Sequence, residues 1–284
     1  MITLLNNHDP GFTIMSEGTI LIAAVIIILI SATVSDIRSR EIYDAHWVLL
    51  CIISVVLSIF VYDLGSALLF TLSVLFIVVY MFSPKVTGKA SILILSLYAV
   101  SLIAAYIIPR EPSFIVILIM SFFVLAMYWT GTIRGGADAK ALISMSLLFP
   151  VYPEAGCLIW EPSYPAGYVF NPIFSTLLFA SIFSMFTLVY VHHKNREVGC
   201  KGYTSYPMSI DKARGSFVWP VEDFENGEVV RRRTYDDVGD VYDRMEAAGM
   251  DTVRVTPMIP FLLPVTVAFA MVMVLGSPLF LLLF

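Results

Sequence analysis

Long apolar runs separated by short polar breaks make up most of the chain. A transmembrane helix needs roughly 20 apolar residues, whereas a strand of a membrane barrel shows about ten residues of alternating character. The runs are continuous stretches of Ile, Leu, Val and Phe, so the pattern predicts about eight transmembrane helices. The predicted spans are Glu17–Ser35, Tyr43–Tyr62, Ser66–Phe82, Ala90–Ile108, Ser113–Gly131, the shorter Ala139–Val151, Pro172–Val191 and Pro257–Gly276.

The pattern changes after the seventh run, where residues 192–256 become polar. Ser216–Trp219 and Glu228–Arg231 flank Asn226-Gly227, a pair that favours a β-hairpin. Apolar residues at helical spacing predict a helix over Tyr235–Ala248, and Thr252–Val255 is predicted to be a strand. The segment therefore has the pattern of a small α+β domain.

Together these patterns define the expected fold class. It is an all-α polytopic membrane protein with a small α+β cytoplasmic insertion before the last helix. The predicted domains are a membrane domain at residues 1–191, the insertion at 192–256, and a final helix and tail at 257–284.

Composition agrees with a membrane protein and excludes several classes of site. The chain has 284 residues, of which 58% are hydrophobic and 14% charged, against about 45–50% and about 25% in soluble domains. Cys51, Cys157 and Cys200 are isolated from one another, which indicates neither a structural zinc site nor a disulfide framework. We expect no metal, no cofactor and no nucleic-acid partner. Residues 1–16 contain no Lys or Arg, so the first run is predicted to be retained and not cleaved as a signal peptide.

The positions of the basic residues predict an orientation. Of the 17 Lys and Arg residues, 16 fall on one face if the breaks alternate between faces, and Arg110 is the exception. Basic residues concentrate in cytoplasmic loops, a rule that applies to short loops. Without the ten in residues 192–256 the ratio is still six to one. We expect a multi-pass cell-membrane protein with its N-terminus outside and both this segment and the active site on the cytoplasmic side.

Two aspartates lie on that same face at the membrane boundary. Asp36 ends the first run and Asp138 precedes the sixth. A charge within a membrane costs about 3 kcal/mol or more, so such residues suggest function. Two neighbouring carboxylates can share one proton and activate water, which is the chemistry of an aspartic protease. Gly135 and Gly136 allow the backbone to bend and a substrate strand to approach closely.

The segment Gly135-Gly136-Ala137-Asp138 matches the GxGD signature of membrane aspartyl proteases. The longer string GGADAKAL, Ser35-Asp36-Ile37-Arg38 with Glu41-Ile42, and Thr256–Phe261 resemble archaeal prepilin and preflagellin (prearchaellin) peptidases. The resemblance implies that Asp36 and Asp138 are the catalytic dyad. It also implies type IV pilin-like or archaellin precursors as substrates, cut at the membrane surface after a short basic leader, typically just after a glycine.

Two features depart from that family. Ala137 replaces the second glycine of the signature, and the separation between the aspartates is longer, with an extra helix pair near residues 66–108. The paired CxxC motifs of bifunctional bacterial enzymes are absent from the sequence, and with them any support for N-methylation.

Other interpretations of the same residues stay open. Asp36 could be a solvated helix-end acid, and Asp138 could cap the sixth helix. Asp44 is a rival second acid or, with Glu41, a contact for the basic leader; Asp63 falls on the outer face. Lys140 is either a basic membrane anchor or part of the substrate-access motif. An ion-coupled transporter or channel that binds cations or protons through the two aspartates is the alternative function. A cytoplasmic scaffold on an inert anchor would not need the glycines.

Overall fold

The computed structural model describes residues 17–83, 85–133, 135–153, 166–169, 171–225, 227–231, 238–258 and 260–277. These residues are mostly helical. The chain divides into two compact units, Met1–Phe179 with Phe261–Phe284, and Ala180–Pro260.

The helices account for nearly all of the first unit and part of the second. In chain order they are α1 (Glu17–Ser39), α2 (Ala45–Val61), α3 (Leu64–Phe82), α4 (Lys89–Ile107), α5 (Ser113–Trp129), α6 (Gly136–Leu148), α7 (Ala166–Val169), α8 (Pro172–Glu197), α9 (Ile210–Arg214), α10 (Val238–Ala247) and α11 (Leu262–Leu275). The strands are β1 (Tyr206–Ser209), β2 (Val218–Pro220), β3 (Glu222–Glu225), β4 (Glu228–Arg231) and β5 (Thr252–Pro257).

Every predicted span overlaps a helix, although several helix ends differ from the predicted ones. Among the described residues four helices are long and apolar enough to cross a membrane, within α1, α3, α4 and α8. Helices α2, α5 and α11 are apolar but shorter. Large apolar side chains cover the outside of the bundle, with Phe60 82%, Leu64 71% and Ile27 67% exposed. An apolar surface of this extent is typical of a protein that contacts lipid or another partner.

Polar side chains lie in the interior of the first unit. The hydroxyl oxygens of Ser73 and Ser101 are 2.7 Å apart, joining α3 to α4. The hydroxyl of Tyr98 donates to Ser121 Oγ at 2.7 Å, joining α4 to α5. Interhelical hydrogen bonds of this kind hold helices together where the surrounding solvent is as apolar as the side chains. The bundle is therefore apolar outside and locally polar inside, as membrane helices are.

Helix α6 is short and buried. Its 13 residues span about 20 Å at 1.5 Å per residue, less than the roughly 30 Å of a bilayer core. The side chains from Ala141 to Leu147 are buried, and α2 and α5 pack against the helix. It begins at Gly136, three residues before the predicted start, so Asp138 lies within its first turn. The helix that carries the motif is thus enclosed by its neighbours.

The second unit contains the predicted α+β structure. Its antiparallel sheet has the strand order β1-β5-β2, and β3 and β4 form a separate hairpin. Strand β5 and helix α10 supply much of its apolar core. The core residues are Val191, Tyr206, Ile210, Ala213, Val218, Val241, Tyr242, Met245, Val253 and Val255.

Two sequence predictions were wrong in detail. The strand that pairs with Glu228–Arg231 is Glu222–Glu225, because β2 pairs with β5. The last helix begins at Leu262 and not at Pro257. Pro257 instead ends β5 opposite Val218. The helix predicted over Tyr235–Ala248 is observed as Val238–Ala247, and residues 232–237 lie outside the described part of the chain.

Candidate active site

Asp36 lies in the last turn of α1 and is only 7% exposed. Its Oδ2 accepts the backbone N–H of Leu262 at 3.4 Å. The first N–H groups of a helix have no partner within the helix, and their partial positive charge attracts an anion. Asp36 therefore supplies an acceptor to the start of α11 and ties the first helix to the last one described.

Arg40 ends α1 beside this carboxyl group. Its backbone N–H donates to the carbonyl of Asp36 at 3.1 Å, and its φ of 57° is left-handed, which stops the helix. The positive charge of Arg40 interacts with the carboxylate of Asp36. A cation and a helix N-terminus thus both face the first aspartate.

Asp138 lies in the first turn of α6, close enough to Asp36 that the two charges interact. Asp138 is partly buried. The fold therefore brings together two carboxyl groups from helices that are far apart in sequence. Two carboxyl groups placed in this way can act together on one water molecule. The pair can hold a single negative charge, and any titration belongs to both residues together.

The two glycines before Asp138 have different surroundings. A Cβ atom at Gly135 would lie 2.8 Å from Cγ of Asp138 and 3.4 Å from its Oδ1. The carboxyl group of Asp138 therefore folds back over Gly135 and occupies the space that any other side chain would need. At Gly136 the nearest atom to a Cβ is the hydroxyl of Tyr128 at 3.7 Å, an ordinary contact. Only Gly135 is required by the position of Asp138.

Lys140 and Asp44, which the sequence placed in separate roles, contact each other. Lys140 Nζ lies 2.7 Å from Asp44 Oδ1. The same ammonium group lies 4.5 Å from the centre of the Phe82 ring, which adds a cation–π contact. The first turn of α6 is thus linked to the start of α2 and to the end of α3.

The remaining acids named from the sequence, Asp63 and Glu41, and the alanine of the motif lie in three different local environments. Asp63 caps α3 by accepting the N–H of Ser66 at 3.1 Å, which gives it a structural role. Glu41 is exposed between α1 and α2, and its carbonyl accepts the hydroxyl of Ser35 at 2.6 Å. Ala137 is partly buried in the first turn of α6. Among the described residues no three His, Cys, Asp or Glu side chains are grouped to hold a metal ion.

An apolar groove lies between α1 and α11, and its lining includes Ile37 and Leu263, which follow Asp36 and Leu262 in the sequence. It has a volume of about 730 Å³ and is lined in part by Thr33, Ile37, Leu263 and Thr266. The hydroxyls of Thr33 and Thr266 are 2.8 Å apart and join the two helices. Neither this groove nor the N–H of Leu262 was found from the sequence. The resemblance at Thr256–Phe261 was the only signal near them.

Comparison with known proteins does not add a relative. No protein-family model and no curated protein sequence matches the chain. The functional interpretation therefore depends on the residues of the site and on their arrangement.

Proposed function

We propose that the chain is a membrane-embedded aspartic endopeptidase that removes a short basic leader from type IV prepilin-like or archaellin-like precursors. The observation that carries this proposal is the placement of Asp36 in the last turn of α1 and of Asp138 in the first turn of α6, with the Lys140–Asp44 ion pair at 2.7 Å joining the start of α6 to the break after α1. The substrate class comes from the resemblance at the two aspartates and their flanking residues.

The two aspartates take different roles in this mechanism. Asp36 accepts the Leu262 N–H and faces the charge of Arg40, and these two contacts are the reason we assign it the role of the carboxylate. Asp138 faces the negative charge of Asp36, which favours keeping the shared proton on Asp138. Asp36 is therefore the general base and Asp138 the general acid.

The chemical step follows from those roles. Asp36 removes a proton from a water molecule, and the water oxygen bonds to the scissile carbonyl carbon. Asp138 donates its proton to the carbonyl oxygen and forms a neutral tetrahedral diol. The diol then returns a proton to Asp138 while Asp36 delivers its proton to the nitrogen, and the C–N bond breaks. The products are a carboxylic acid and an amine, and the dyad regains its starting charge.

The surroundings of Asp36 suit a substrate that is partly in the membrane. The apolar groove between α1 and α11 begins at the turn that carries Asp36, since Ile37 lines it. An apolar segment of the substrate can lie in this groove while the polar leader stays at the surface. Glu41, exposed in the break after α1, is the acid we assign to the basic leader.

We place the site at the cytoplasmic face of the cell membrane. About eight helices lie in the membrane, the N-terminus is outside, and residues 192–256 are cytoplasmic. The distribution of the basic residues supports this orientation. The proposal requires no metal and no cofactor.

A cleavage assay on isolated membranes tests the proposal. The substrate is a pilin-like precursor with a basic leader, and the enzymes are wild type, Asp36→Asn and Asp138→Asn. Each substitution removes one proton carrier and is expected to lower cleavage by about 10³-fold or more at unchanged protein level. A serine replacement of Cys200, which lies in the second unit and outside the site, is the matched control and is expected to keep wild-type activity.

The outcome separates the protease from the transporter. If the wild-type protein does not cleave the precursor, or if both asparagine variants still cleave it, the proposal of a protease is wrong. A transporter or channel would instead show ion flux in proteoliposomes that depends on Asp36 and Asp138 without any cleavage.

A further inference from the structure

The ion pair between Lys140 and Asp44 connects the two parts of the chain that carry the aspartates. Lys140 follows Asp138 by two residues in the same turn of α6. Asp44 immediately precedes α2, at the far end of the short break that begins after Asp36 and the end of α1. The pair therefore joins the same two parts of the chain as the dyad does, through a separate contact.

Asp44 lies in a corner between α1 and α2 that is fixed by side-chain hydrogen bonds. His46 Nδ1 donates to the carbonyl of Tyr43 at 2.9 Å, so in the neutral ring its Nε2 accepts from the hydroxyl of Ser31, 3.1 Å away. The hydroxyl of Ser35 donates to the carbonyl of Glu41 at 2.6 Å. Asp36 lies on the α1 side of this corner and Asp44 on the α2 side. The conformation of the corner therefore determines where the two acids lie relative to each other.

The ion pair contributes little to stability by itself. The side chain of Lys140 is 20% exposed and that of Asp44 is 52% exposed. Ion pairs with this exposure contribute little or nothing measurable to stability. A catalytic group, in contrast, is sensitive to displacement, because an error of about 1 Å can lower a rate by about 10²-fold. The effect of the pair is therefore expected in the placement of the dyad.

We propose that Lys140 and Asp44 are positioning residues, whose ion pair fixes the first turn of α6 against the α1–α2 corner and thereby sets the separation of Asp36 and Asp138. The inference rests on the proposed function for its effect on cleavage. It replaces the separate roles of Asp44 as a leader contact and of Lys140 as a substrate-access residue.

A charge-swap experiment tests the effect on catalysis. Asp44→Lys and Lys140→Asp each place like charges together, and each is expected to lower kcat by about 10-fold to 100-fold with little change in KM. The double variant restores opposite charges and is expected to recover most of kcat. The matched control is the same swap at Arg214 and Asp243, an ion pair at 2.6 Å in the second unit, which is expected to leave cleavage unchanged.

The substrate can also be varied to separate positioning from leader binding. A precursor whose leader lysines and arginines are replaced by glutamine is compared with the basic one in wild type and in Asp44→Asn. If Asp44 is a positioning residue, Asp44→Asn lowers kcat for both precursors by the same factor. An increase in KM confined to the basic precursor would overturn the proposal in favour of a leader contact. In the charge-swap experiment, a double variant whose kcat is no higher than that of the single variants would also overturn the proposal.

A cross-linking measurement is independent of cleavage. Asp36→Cys and Asp138→Cys are combined with replacement of Cys51, Cys157 and Cys200, and the pair is treated with thiol reagents of increasing spacer length. We expect one spacer length to dominate with Lys140 and Asp44 intact, and the yields to spread over several lengths in Lys140→Met and Asp44→Asn. Equal yields in all three backgrounds would overturn the proposal. A spread of yields together with a wild-type protein that cleaves no precursor would reject the protease and keep the positioning role.

Discussion

Gly135 is the residue whose identity the structure explains most directly. Asp138 folds back into the space of the missing Cβ, so the glycine and the acid are a spatial pair. Gly135→Ala must push the carboxyl group away, which a flexible side chain tolerates. The backbone of Gly135 is extended, with φ −82° and ψ 123°, so alanine causes no backbone strain. We expect a stability change below about 1 kcal/mol and a loss of about 10-fold to 100-fold in kcat, measured by thermal unfolding in detergent and by cleavage.

Gly136→Ala is the matched control for this prediction. Its Cβ would make only an ordinary contact with Tyr128, and alanine favours a helix more than glycine does. We expect near-normal cleavage. Equal losses at both positions would mean that the glycines serve substrate approach and not the position of Asp138.

At the scale of the elements, β3 shows why some structure could not be predicted. Glu222, Asp223 and Glu225 are acidic, and a strand rich in acids is uncommon. Asp223 is nevertheless fully buried, because Arg244 from α10 binds both of its oxygens, at 3.0 Å and 2.6 Å. The partner is distant in sequence, so a local pattern could not reveal it. The apolar spacing of α10 and the alternation of β5 are local signals, and both elements were predicted.

The same pair gives a prediction on stability. Arg244→Leu removes the guanidinium that binds both oxygens of the buried Asp223, which is expected to destabilise the second unit by about 3 kcal/mol, the low end for a broken buried pair because Arg244 is partly exposed. Hydrogen exchange of β3 and α10 in the full-length protein measures the change. Arg214→Leu, which loses the exposed partners Asp243 and Glu246 and a cation–π contact with Tyr242, is expected to change stability by about 1 kcal/mol. Similar protection in both variants would contradict this account.

At the scale of the whole molecule, the long helices were predictable because a long apolar run marks each of them, although the ends of several helices differ from the ends of the runs. The contact between Asp36 and Leu262 was not predictable, since periodicity gives the faces of a helix but not its neighbours. The GGAD motif indicated Asp138 and its relation to Asp36, whereas the ion pair of Lys140 with Asp44 is visible only in the three-dimensional structure. The charged residues of the site could thus be identified from the sequence, but most of their contacts could not be predicted from it.

The proposed orientation makes a prediction for the intact cell. Single cysteines at Thr87, Arg110 and Lys201 are introduced after Cys51, Cys157 and Cys200 are replaced. A membrane-impermeant maleimide is expected to label only position 110 in intact cells, because basic residues concentrate on the cytoplasmic side. Positions 87 and 201 become labelled after the cells are permeabilised. Labelling of position 201 in intact cells would place the second unit outside and contradict the proposed location.

The hydrogen bond from Leu262 to Asp36 also bears on how the protein is made. The two residues are 226 positions apart, so α1 is synthesised long before its partner. During that interval Asp36 lacks the N–H donor of Leu262. If the proposed function holds, a nascent chain that already contains both aspartates is therefore expected to stay inactive until the ribosome has passed Leu262 and α11 is in place.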